Sequence, residues 1–153
     1  IDGNNKDSVL DIPAFIDNLS DGMDHIQGSR FIPGGNHENT PISRLLGLKL
    51  IHLPIMRLAC KFPYTDTTNG FRGYSRRLIE SKKLSLFRSI FEGYELHYYI
   101  ALKAANCGFR CTELPVSRIY PSKGKTPTKI SPIKGSLEVI YKLFSVVLGK
   151  YNL

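Results

Sequence analysis

Apolar residues along this chain recur first at helical spacing, then at extended spacing, and the two patterns keep alternating. From Ser8, the residues Val9, Ile12, Phe15, Ile16 and Leu19 follow three- and four-residue steps, with Ser8 placed as a cap and Asp11 in the first turn. Asp21-Gly22 stops that helix. MDHIQGSRF then reads as a short strand ending at Gly28-Ser29-Arg30, and IPGGNHENT as a loop, by its glycines and asparagines. Thr40 and Pro41 open the longest apolar segment, PISRLLGLKLIHLPIMRLACKF, in which Pro54 predicts a kink or a split. YTDTTNGFRGYSRR predicts a turn delivering a short strand, and LFRSIFEGY a loop. A helix is predicted from about Glu95 to Cys107, stopped by Gly108, and a strand from Arg110 to Tyr120. A basic loop over 121–131 leads to an amphipathic helix over 136–149, in which Leu137, Ile140, Tyr141, Phe144, Val147 and Leu148 share a face.

Such alternation predicts an α/β layered domain. Only two or three strands are visible, and so small a sheet cannot bury both faces beneath four helices. The expectation is that more strands, with their covering helices, precede Ile1, so that the opening IDGNNKD marks the end of a buried strand. At 153 residues, without a repeat or a linker, the chain suits one domain. Its formal charge of +8 favours anionic partners: phosphates, nucleic acid or an acidic membrane surface. Cys60, Cys107 and Cys111 form no even framework and no zinc spacing, which predicts buried, reduced thiols in a cytosolic setting. No run of 18 uncharged apolar residues is present to span a bilayer.

The segments DGNNKDSVLDIPAFI, GSRFI, DTTNGFR, GYELHYYIALKAANCGFRCTELPVSRIYP and TPTKIS follow the order and spacing of family 2 glycosyltransferases. From Asp2 to about Ser131 the chain resembles their dolichyl-phosphate mannosyltransferase-like branch. That resemblance implies a GT-A-type fold, with residues 1–153 as the C-terminal part of one catalytic domain. The N-terminal nucleotide-binding β-α units would be lacking, and the piece alone inactive. It implies an inverting transfer of a sugar from a nucleotide-sugar donor to an acceptor. The acceptor would be a polyprenyl or dolichyl phosphate, or a glycan, used at the cytoplasmic face of the membrane in cell-envelope glycan synthesis.

Sugar transfer loads negative charge onto a diphosphate leaving group, which a hard cation such as Mg²⁺ or Mn²⁺ neutralises through oxygen ligands. In the resemblance, Asp2 and Asn4 occupy the acidic motif and would hold that metal. Lys6 would repel a cation or bind phosphate itself, and Asp7 could compensate. The other reading of DGNNKDS is a turn with a helix cap. Arg30 and Arg72 are either planar forks for the acceptor phosphate or solvated charges, with Asp66 positioning Arg72 or facing the acceptor. Glu95 stands where relatives place a general base; an ionised phosphate acceptor needs none, so Glu95 would orient a partner, or simply favour a helix N-terminus. Arg118, Thr128 and Lys129 match positions beside the diphosphate and the acceptor, in a basic loop that either closes over anions or is only a soluble surface.

Segment 41–62 is either a core helix or an interfacial helix lying on the membrane, and the C-terminal helix could do the same. Two other functions compete: a non-catalytic basic module binding anionic lipid or nucleic acid, and a degenerate glycosyltransferase. No stacking platform, helix-turn-helix or RNA-binding signature accompanies the charge, so nucleic acid is not the expected partner.

Overall fold

The computed structural model describes residues 1, 6–121 and 134–152. Ser8 caps a short 3₁₀ turn, accepting a hydrogen bond from the Leu10 amide at 3.2 Å, and the turn runs into α1 (Ile12–Ser20) with Pro13 in its first turn. The remaining elements are β1 (His25–Ser29), β2 (Asn36–Glu38), α2 (Ile42–Gly47), α3 (Leu53–Ala59), β3 (Arg72–Tyr74), α4 (Arg76–Ile79), α5 (Glu95–Asn106), β4 (Cys111–Pro115), β5 (Ser117–Ile119) and α6 (Lys134–Val147).

The main sheet has the order β3-β1-β4, with β1 antiparallel to β3 and parallel to β4. A second, two-stranded sheet pairs β2 with β5 in parallel. The expected strand from Arg110 to Tyr120 is therefore two strands in two sheets. Its break is chemical: Pro115 has no amide to donate. Val116 joins the pieces, its amide bonded to the Ser29 carbonyl at 3.1 Å and its carbonyl accepting from the Asn36 amide at 3.1 Å. The expected loop 32–40 contains β2, whose three polar residues show no apolar alternation; pairing with β5, far along the chain, creates this strand.

Every residue of β1 is buried, and its two faces differ. Ile26 packs with Phe15 of α1, Phe71 and Val116 in a small apolar cluster, and Gly28, on the same face, lies against Phe71 and Val116. His25, Gln27 and Ser29 face the other way and are all polar. The larger core lies among α3, α5 and α6, where Met56, Tyr64, Leu78, Leu84, Tyr98, Tyr99, Leu143 and Val146 are buried.

Two expectations about helices change. The helical run over 42–59 is not split at Pro54; the irregularity there takes the form of a wider π-helical segment, Leu48–His52, just ahead of the proline. A local widening of this kind accommodates a residue that cannot donate its amide. In α6, the named apolar face is largely the outer one: Leu137, Tyr141, Phe144 and Leu148 are exposed, while Leu143 and Val146 carry the packing against α5. Cys60 is buried, but Cys107 and Cys111 are only half-buried; all three are free thiols.

Gly28 marks the tightest approach in the sheet. A Cβ there would stand 2.9 Å from the Phe71 carbonyl oxygen and 3.0 Å from Val116. Gly28→Ala is expected to cost about 1–3 kcal/mol of stability, the usual range for overpacking. Urea denaturation checks this, and an unchanged midpoint would contradict the packing described.

Candidate functional site

The polar face of β1 is covered by segment 64–72, and each side chain of that face bonds to it. The Tyr64 hydroxyl meets His25 Nδ1 at 2.7 Å, and the Ser29 and Thr65 hydroxyls meet at 2.6 Å. Gln27 donates to the Asn69 carbonyl at 3.1 Å and accepts from Arg72 Nε at 2.9 Å. From β4, the Glu113 carboxylate takes the Thr65 amide at 2.8 Å, the Asp66 amide at 3.1 Å and the Thr65 hydroxyl at 2.7 Å. Burial pushes the Glu113 carboxyl above its ordinary value, although those bonds oppose the shift.

On this tied segment the predicted arginines converge. Arg30 grips Asp66 with two parallel bonds, Nε to Oδ2 at 2.6 Å and Nη2 to Oδ1 at 2.9 Å. The two side chains are 5% and 0% exposed, so the pair is buried. Arg72 donates from Nη2 to the Thr67 carbonyl at 2.9 Å. The forks of Arg30 and Arg72 are thus held by protein through Nε and Nη2, and the expected clamp of Arg30 is closed on Asp66. Asp66 positions Arg30, and of its two expected roles the positioning of Arg72 is not the one seen. Arg118 donates from Nη1 to both oxygens of Asp7, each at 2.8 Å, and to Asn69 Oδ1 at 3.2 Å. Asn69 therefore links Arg118 to the Gln27–Arg72 pair. Around Tyr120, Arg118 is joined by Arg44, which donates to the phenol oxygen at 3.2 Å, and by Lys6, whose ammonium lies 4.8 Å from the ring centroid. Burial pushes the Tyr120 phenol up, but Arg118 and Arg44 outweigh it and hold the group below its ordinary value.

Glu95 has other work. It is buried at the start of α5, where Oε1 accepts the Gly93 amide at 2.7 Å and also the Glu92 amide, and Oε2 pairs with Lys142 of α6 at 2.8 Å. Burial pushes its carboxyl up, yet the Lys142 ammonium and those amides prevail and keep it ionised below the ordinary range. This geometry fits a brace between α5 and α6 rather than a proton acceptor. Gly93 lies close beside it: a Cβ there would come within 2.7 Å of the Lys142 ammonium, which would have to shift.

Asp2, Asn4, Thr128 and Lys129 lie outside the described residues, as does most of the basic loop. No group of three or more His, Cys, Asp or Glu suited to a metal occurs among the described residues. Asp7, the carboxylate expected to compensate for Asn4, is engaged by Arg118, and Lys6 is turned to Tyr120.

Sequence patterns did not reveal His52, Asn69, Gln27 or Glu113. His52, at the end of the π-helical segment, meets the Thr67 hydroxyl at 2.8 Å and stacks edge-on against Tyr98. Burial, reinforced by the Arg72 charge, lowers its pKa to about 4, so it is neutral at pH 7. For His52 the one available signal was polarity in an otherwise apolar segment.

With this geometry in view, comparison with known proteins is informative. The chain is 29% identical over 117 residues to a polyprenol monophosphomannose synthase of Mycolicibacterium smegmatis, covering 76% of this chain and 43% of that protein. It is 22% identical over 144 residues to the glycosyltransferase AglJ of Haloferax volcanii, covering 94% of this chain and 45% of that protein. The chain thus spans less than half the length of the curated relatives it matches. No protein-family model matches it. These two likenesses support a glycosyltransferase relationship, and the mixed α/β architecture is compatible with a GT-A-like fold.

Two outcomes test the site's construction. Asp66→Ala leaves the Arg30 charge buried without its partner, and a loss of about 3–5 kcal/mol is expected in urea denaturation; a loss below about 1 kcal/mol would deny the pair its structural role. Asp24, whose carboxyl is pushed up by burial but held lower overall by Arg77 and the Arg110 amide, behaves like Glu95. A depressed carboxyl contributes stability that is complete above its unfolded value and lost as pH falls through its folded value. As pH falls from neutral, the denaturation midpoint is therefore expected to rise until about pH 4.5, where the gain from Glu113, whose shift is upward, is complete, and to drop below about pH 3.8 as Asp24 and Glu95 are protonated. A midpoint constant to pH 3 would remove both carboxylates from that role.

Proposed function

We propose that this chain forms the phosphate-handling part of an inverting glycosyltransferase, which moves a sugar from a nucleotide-sugar donor to a polyprenyl phosphate. The observation that carries the reading is the convergence of Arg30, Arg72 and Arg118 on the five residues from Thr65 to Asn69. Fixed guanidinium groups suit a reaction whose charge builds on phosphate oxygens, because no reorganisation is needed when the charge appears. Arg30 and Arg72 would face the acceptor phosphate, and Arg118 with Thr128 and Lys129 the diphosphate. A phosphate nucleophile is already ionised, so Glu95 is not needed as a base, in keeping with its bonds to Lys142 and Gly93. Asp2 and Asn4 would hold Mg²⁺ or Mn²⁺, which would neutralise the leaving diphosphate.

The acceptor class also suits the surface. Segment 41–62 holds Arg44, Lys49, Arg57 and Lys61 and no acidic residue, and it exposes Ile42, Leu46, Leu50 and Leu58. Apolar side chains flanked by cations suit a helix seated at an anionic membrane surface. No helix among the described residues is long and apolar enough to cross a membrane. A peripheral seat at the cytoplasmic leaflet is part of this proposal.

The name of the mycobacterial relative indicates the first pair to try, a mannosyl nucleotide with a polyprenol phosphate. The full-length protein is expected to transfer sugar to polyprenyl phosphate from one donor in a nucleotide-sugar panel. Arg72→Ala is expected to lower kcat/KM about 10²–10³-fold, the usual cost of losing one charge-stabilising donor. Absence of transfer from every donor, or full turnover by Arg72→Ala, would overturn the proposal.

A further inference from the structure

Within segment 64–72, Thr65 and Asp66 are held by Glu113 of β4, and Asn69 by Gln27 of β1. Among the described residues, no hydrogen bond from either strand reaches Thr67. Its hydroxyl is met instead by His52 Nδ1, at 2.8 Å, from the end of the π-helical segment Leu48–His52. Its carbonyl accepts from Arg72 Nη2 at 2.9 Å. With Arg72 Nε on Gln27, this leaves Nη1 unpartnered among the described residues. Thr67 is thus held at one end by the imidazole and at the other holds the guanidinium.

An imidazole is a costly choice at this position. His52 is 4% exposed, in a helical run where Leu48, Leu53 and Met56 are also buried. Its Nε2 has no hydrogen-bond partner among the described residues, so the single bond to Thr67 offsets its desolvation. A phenylalanine could lie against Tyr98 without that cost. What the imidazole adds is the contact with Thr67, which either neutral tautomer can make, because a hydroxyl both donates and accepts. The Arg72 charge reaches the same ring and helps to keep it neutral, so helix and arginine are linked by a hydrogen bond rather than an ion pair. A π-helical turn is also a form of winding that recurs at functional sites. We propose that His52 is a positioning residue for Arg72. Through Thr67 it fixes the carbonyl against which the guanidinium lies, and so sets where Nη1 points. This inference rests on the reading of Arg72 as a phosphate-facing group, but its first test needs no sugar transfer.

The experiment is nuclear magnetic resonance on the full-length protein with its arginine nitrogens isotopically labelled. The Arg72 guanidinium signal, assigned by its loss in Arg72→Lys, reports rotation about the Nε–Cζ bond. His52→Phe keeps a ring beside Tyr98 and removes the bond to Thr67, while Thr67→Val keeps that residue's shape and removes its hydroxyl. Each is expected to speed the rotation about three- to tenfold, the worth of one ordinary hydrogen bond. The double variant is expected to go no further than either change alone. His52→Asn, whose side-chain oxygen can stand in for Nδ1 although the ring is lost, is expected to restore the parental rate. Packing alone predicts the opposite order, with Asn worse than Phe. In transfer to polyprenyl phosphate, kcat/KM is expected to follow the same order as the rotation. Parental rotation in His52→Phe or Thr67→Val, additive effects in the double variant, or rotation in His52→Asn as fast as in His52→Phe would each overturn the inference. If His52→Phe fails to fold, Thr67→Val and His52→Asn decide. Should the rotation pattern hold in a protein that transfers no sugar, the positioning of Arg72 stands and the catalytic reading falls. Should sugar be transferred without that pattern, the positioning role alone falls.

Discussion

The hydrogen bonding between the polar face of β1 and segment 64–72 is the constraint on which the site depends. His25, Gln27 and Ser29 lie in a fully buried strand, where a donor or acceptor left alone costs about 1–3 kcal/mol. Each bonds to one segment, His25 through Nδ1 alone, so the bonds that satisfy most of the strand's polar face also shape the site. Glu113 repeats the device from the neighbouring strand by taking two successive amides of that segment. The segment is consequently moulded by the sheet beneath it, and the arginines that meet there inherit its rigidity.

Burying Arg30 with Asp66 is not an efficient route to stability, since desolvating two charges offsets much of their attraction. What the pair provides is direction. Two parallel bonds hold a planar guanidinium against rotation, and the Phe31 ring lies alongside it. Arg72 is held in the same manner by a side-chain amide and a backbone carbonyl. Groups held in this way are already arranged without a ligand, and anything binding to them would meet a lower ordering cost.

Much of this was legible in the residues. Gly108 stops α5 where expected, Ser8 caps as expected, and the motifs around Arg30, Arg72 and Arg118 do meet in space. What could not be read has a common cause. Strand β2 exists only through its pairing with β5; the buried side of α6 is chosen by α5; and Glu95 is occupied by Lys142, far along the chain. Periodicity reports that a helix has an apolar side, but the neighbour decides which residues it covers. His52 was hidden for a related reason, because a lone polar residue in an apolar stretch carries no indication of its partner, whereas Asn69 stands among polar residues of which none is singled out.

The joint at Val116 sets a limit on how such chains can vary. One residue splices the two sheets, and side chains along an extended backbone point alternately to opposite sides. Adding or removing a single residue there would either strain the joint or slip β5 by one residue against β2, turning Arg118 away from Asp7 and Asn69 while leaving Glu113 in place. Length drift that surface turns readily absorb is thus forbidden at this splice, where odd and even are not interchangeable.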